Sequence, residues 1–137
     1  MKAARILWII ASFYLFIVGF VYIVILGDAP ENYPERYEFI RANWNIYELQ
    51  WKGEFMIAIF LAIASLIFAN SLGRWEFYFI AVGQFLIAVG FPPSLSLGEL
   101  DVISHYEQIG KAGHLYVNFG FFISLSGFTL LHWHNDV

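Results

Sequence analysis

From Ile6 to Leu26 no charged side chain interrupts the chain. At about 1.5 Å of rise per residue, a helix over this run would match a hydrocarbon core of about 30 Å. Three more apolar stretches follow: Phe55 to Leu72, Trp75 to Phe91 and His114 to His132. In lipid the backbone must satisfy its own hydrogen bonds, which a helix does within one segment. The sequence therefore predicts an all-α integral membrane protein with four transmembrane helices at 6–26, 55–72, 75–91 and 114–132, all in one domain over 1–137. Pro92 and Pro93 are expected to end the third helix, because each disfavours helical geometry in the residue before it.

Composition removes the main alternatives. Of 137 residues 60% are apolar and 13% charged, too much apolar surface for a soluble domain of this size to hide and too little charge for a disordered chain. Cysteine is absent, which excludes a disulfide framework and any thiolate metal site. Lys and Arg total 7, are scattered singly and leave a net charge of −4, so no nucleic-acid partner is expected.

Lys2 and Arg5 ahead of an apolar run resemble the start of a signal peptide, with Gly27-Asp28-Ala29 as a small-residue cleavage site. A cleavable apolar region is about 7–15 residues long, shorter than this run, so an uncleaved first helix is expected. Four spans put both termini on one side. The termini and the turn from Asn70 to Arg74 carry Lys2, Arg5 and Arg74, whereas Arg36, Arg41, Lys52 and Lys111 lie in longer, strongly acidic loops. The density of basic residues places both termini in the cytoplasm, in a plasma or inner membrane.

The two outer loops are expected to hold short interfacial helices. Over 34–52, Tyr37, Ile40, Trp44, Tyr47 and Trp51 recur at steps of three and four, giving one aromatic face, with Pro34 suited to the first turn. This aromatic cap reads as anchoring at the headgroup level or as an aromatic ligand box. Over 97–110, Ser96-Leu97-Gly98-Glu99 forms a capping-box pattern ahead of Val102, Ile103, Tyr106 and Ile109. Tyr47-Glu48 with Lys52 and Tyr106-Glu107 with Lys111 recur before the second and fourth spans. They read as two related hairpins or as a chance recurrence of locally favoured pairs.

Small residues mark where membrane helices approach closely. They occur at Ser12 and Gly19, at Ala58, Ala62, Ser65 and Ala69, at Gly83 and Gly90, and at Gly113, Gly120 and Gly127. Most recur at a spacing of seven, which predicts a left-handed bundle with helices crossing near about +20°.

Carboxylates at membrane depth are candidates for function by default. Glu54 continues the small face of the second span outward and is expected to turn into the bundle at its outer mouth. His114 and Asn118 would meet it there, with Lys52 and Lys111 at the rim. Such a cluster could hold a headgroup, an ion or a proton; the alternative is a hydrogen-bonded plug that sets helix register. Gln84 sits in the middle of the third span and needs a partner, for which Ser65 and Ser124 have the right depth. His105 and His114 lie at one side of the membrane and His132 and His134 at the other, so no pair suits an axial haem, and no metal-binding signature occurs. No cofactor or metal is expected. Two functional readings remain. One is a non-catalytic accessory, assembly or scaffold subunit of a membrane complex, or a homo-oligomer. The other is a binder or conduit for a lipid, quinone, small hydrophobic molecule or ion, acting through the polar column under the aromatic cap.

Overall fold

The computed structural model describes residues 2–24, 27–95 and 103–134. Among them lie five helices and no strand: α1 (Lys2–Val24), α2 (Tyr33–Ala42), α3 (Trp44–Leu72), α4 (Glu76–Leu95) and α5 (Ile103–Trp133). All but α2 are long and apolar enough to cross a membrane.

The most extensive packing joins α4 to α5, then α3 to α4, then α1 to α3. The long helices thus follow one another in the order α1, α3, α4, α5. The edge helix α1 is attached along a narrow line. Its buried residues, Ala4, Ala11 and Val18, recur every seven positions. Ala4 lies in a cluster with Ala64 and Phe68, and Ala11 in one with Ile57 and Leu61. Higher up, Gln50 Nε2 donates to the Val18 carbonyl at 3.5 Å. Only 6% of the most apolar window of α1 is buried, against 39% for α3, so most of α1 faces outward.

The contact between α4 and α5 is closer because glycine forms it. A Cβ on Gly83 would lie 2.5 Å from both the Gly120 carbonyl oxygen and the Ser124 nitrogen. One on Gly90 would lie 2.8 Å from the Gly113 carbonyl oxygen, and one on Gly127 would lie 2.9 Å from the Ile80 nitrogen. The backbones touch directly, and dispersion between them replaces side-chain packing.

At the end where the termini lie, α3 closes on Gly73, whose φ of 65° is the left-handed conformation that suits glycine at a helix C-terminus. The turn into α4 is held by the Tyr78 hydroxyl, which donates to Asn70 Oδ1 at 2.7 Å. Trp8 of α1 packs here against Phe68 of α3, Phe77 of α4 and Phe128 of α5, at ring-centroid distances of 5.5, 5.8 and 5.8 Å.

Three element boundaries differ from the sequence reading. The segment 34–52 is not one interfacial helix: the chain breaks at Asn43, whose side chain donates to the Phe39 carbonyl at 2.9 Å and ends α2. Residues 44–52 instead continue into the second span as part of α3, with no proline between them, and Gly53 lets Tyr14 of α1 pack where a side chain would stand. Of the segment 97–110, residues 103–110 belong to α5 rather than to a separate helix. The capping box at 96–99 lies outside the described residues, and 103–110 form the first turns of α5, where Lys111 pairs with Glu107 across the junction. Finally, α4 runs through Pro92 and Pro93 to Leu95. Proline's own φ suits a helix, and the cost is two carbonyls, of Ala88 and Val89, without their usual N–H donors and the crowding of each ring against the residue before it.

Candidate functional site

The aromatic face predicted from spacing is built from two helices. Tyr37 and Ile40 of α2, Tyr47 and Trp51 of α3 and Phe91 of α4 form one buried cluster, with Trp44 partly buried at its edge. Trp51 lies 5.2 Å from the Tyr47 ring and 6.0 Å from the Trp44 ring. The Arg41 guanidinium stands 5.4 Å over Tyr37, an arrangement that keeps the charge outside and the ring inside.

One turn inward from Trp51, Glu54 lies against the Tyr22 hydroxyl of α1 and the Gln50 amide. Tyr22 Oη accepts a hydrogen bond from Trp51 Nε1 at 3.1 Å, which leaves its own proton to face Glu54. The other side of the carboxylate is unmet: Oε1 is buried and has no hydrogen-bond partner. An unmet acceptor in an apolar setting is energetically costly.

The remaining candidates are placed differently. His114 and Asn118 are exposed on α5, and no hydrogen bond joins either to Glu54. His114 has Arg36 of α2 nearby. Lys52 and Lys111 pair with Glu48 and Glu107 of their own helices, each at 2.5 Å, and are spread along the rim. Gln84 Nε2 donates to Ser124 Oγ at 3.0 Å, whereas the Ser65 hydroxyl turns back to the Leu61 carbonyl at 2.6 Å. Gln84 and Ser124 thus satisfy each other in the bundle interior.

Two features escaped the sequence reading. Glu76, in the first turn of α4, is only 1% exposed. Arg74 meets it at 3.1 Å, and Nδ1 of His134, just beyond α5, meets the same oxygen. Trp75 packs on the His134 ring at 6.1 Å. The signal was present as Arg74 two residues before Glu76, with a histidine tail on the same side. The second feature is a groove of about 800 Å³ between α1 and α3, lined by Tyr14, Ile17, Val21, Leu49, Gln50 and Met56 among others.

Among the described residues no three His, Asp or Glu side chains gather as a metal ion would require. No protein-family model matches the chain, and no curated protein or solved structure is significantly similar to it.

Proposed function

We propose that this chain is a non-catalytic multi-pass protein of the plasma or inner membrane that works by association within the bilayer, as an accessory, assembly or scaffold subunit or as a homo-oligomer. In this reading the four long helices form a left-handed bundle, consistent with the seven-residue seams on α1, α4 and α5. The helix α2 lies at the outer interface, and both termini are cytoplasmic. The observation that carries the reading is the attachment of α1, whose buried residues are Ala4, Ala11 and Val18 while Ile9, Phe13, Phe16, Phe20 and Ile23 are exposed. A helix tied to its own domain along one line has a broad apolar surface left for a neighbouring helix.

The test is photo-crosslinking from Phe16 in native membranes, with native mass spectrometry from mild detergent. The expected result is a crosslink to a second polypeptide and a co-purifying partner or second copy. Crosslinks confined to lipid, from a monodisperse monomer, would overturn the proposal.

A second reading is binding of a lipid, quinone, small hydrophobic molecule or ion under the aromatic cap. It is favoured by the unmet Oε1 of Glu54 beside Tyr22.

A further inference from the structure

The line along which α1 meets α3 runs through Ala11 and Val18, and its two sides are filled differently. On one side Trp51 Nε1 donates to the Tyr22 hydroxyl at 3.1 Å and ties the helices together. On the other lies the groove of about 800 Å³, a size typical of ligand sites. Its wall on α1 is Tyr14, Ile17 and Val21, which share a helical face, and its wall on α3 is Ile46, Leu49 and Met56. Between them Gln50 turns its amide to the Val18 carbonyl. At the inner end Tyr14 packs against Gly53, where a side chain would otherwise stand. The groove is open on its outer side, since Leu49 is 75% exposed and Met56 47%. From Asn45 to Met56 it follows α3 for about 16 Å, close to the depth of one leaflet of a hydrocarbon core of about 30 Å.

Charge gathers at one edge of this groove. Asn45 and Lys52 both line it and stand seven residues apart on one face of α3. Lys52 reaches one turn back, toward the start of α3, and its ammonium meets Glu48 at 2.5 Å. An amide, an ammonium and a carboxylate are thus presented together near the Asn45 end, with the two charged side chains 61% and 36% exposed. An occupant that suits both parts has a hydrocarbon chain for the walls and a head carrying both signs of charge. A purely anionic head would meet Lys52 but also the Glu48 carboxylate beside it. A quaternary ammonium has no N–H to give Glu48 or the Asn45 carbonyl, whereas a primary ammonium has three.

We infer that the groove between α1 and α3 is a binding site for a phospholipid whose head carries a phosphate and a primary ammonium. One acyl chain lies along Ile17, Val21, Leu49 and Met56, the phosphate meets Lys52 and the ammonium meets Glu48. The site does not involve Glu54 or the outward face of α1, and it goes beyond both readings above.

The probes are phosphatidylethanolamine, phosphatidylcholine and phosphatidylglycerol with identical acyl chains, added in equal amounts to the full chain in an uncharged detergent and read by native mass spectrometry. Wild type is expected to retain phosphatidylethanolamine about fivefold over each of the others. Glu48→Gln, at the exposed rim, is expected to remove that preference. Ile17→Trp, which fills the groove and leaves its charged edge intact, is expected to lower retention of all three about tenfold, whereas Ile9→Trp on the outward face of α1 leaves retention as in wild type. Equal retention of the three lipids by wild type, or a preference that survives Glu48→Gln, would overturn the assignment of the head. Retention by folded Ile17→Trp equal to that of wild type, or an equal loss from Ile9→Trp, would overturn the placement in the groove. The Glu48→Gln comparison decides the matter if Ile17→Trp does not fold.

Discussion

Gly83 and Gly120 face each other so closely that a methyl group on either would press against the carbonyl oxygen of the other. At both positions the nearest atoms are backbone rather than the far end of a flexible side chain, so relief requires separating α4 from α5. Gly83→Ala and Gly120→Ala are each expected to destabilise the fold by about 1–3 kcal/mol, the usual cost of overpacking. Gly19 is the internal control. Nothing lies within 4 Å of a Cβ placed there, and Gly19→Ala is expected to be neutral or slightly stabilising. Unfolding in mixed micelles with increasing dodecyl sulfate measures both, and equal midpoints for Gly19→Ala and Gly120→Ala would refute the close contact.

The bond from Gln84 to Ser124 joins the same two helices by a different force. A double-mutant cycle with Gln84→Leu and Ser124→Ala is expected to give a favourable coupling of about 0.5–2 kcal/mol, the range for hydrogen bonds between membrane helices. A coupling indistinguishable from zero would mean that the two side chains do not meet.

Glu76 is expected to depend on Arg74 more than on His134. Arg74 presents two nitrogens to the carboxylate, whereas His134 presents one from just beyond the end of α5. Arg74→Ala should lower the melting temperature clearly and His134→Ala only slightly. Glu76→Gln should fall between them, because the amide still accepts from Arg74 but loses the charge. A greater loss from His134→Ala than from Arg74→Ala would reverse this assignment.

The absence of cysteine from the chain makes its topology directly measurable. Ser71→Cys in the last turn of α3 and Glu31→Cys before α2 lie on opposite sides of the proposed bundle. In intact cells a membrane-impermeant maleimide is expected to label Cys at position 31 and, only after lysis, Cys at position 71. Labelling of position 71 in intact cells would place the termini outside.

How much of this was legible beforehand varies by level. Four spans could be read because the length of an uncharged run is a property of the sequence itself. Helix ends were less legible: Asn43 breaks a periodic aromatic face that nothing else interrupts, and Pro92 and Pro93 sit where a helix can still absorb them. Spacing also showed where α4 and α5 could come close, at Gly83 and Gly120, but small residues do not say which helix is adjacent. The same gap affected Glu54. Depth alone makes His114 of α5 and Tyr22 of α1 equally good neighbours, and only the order of packing puts Tyr22 beside the carboxylate. Glu76 was overlooked because a charge at a helix start looks like an ordinary end residue until its burial is known.

Trp8 belongs to α1, yet the rings that hold it come from α3, α4 and α5. Chains are synthesised from the N-terminus, so α1 is made before the three helices whose rings hold it. The last of these rings along the chain is Phe128 of α5. The aromatic lock on α1 therefore closes only once α5 has been made, and a chain interrupted before α5 would present Trp8 with one of its three aromatic neighbours missing.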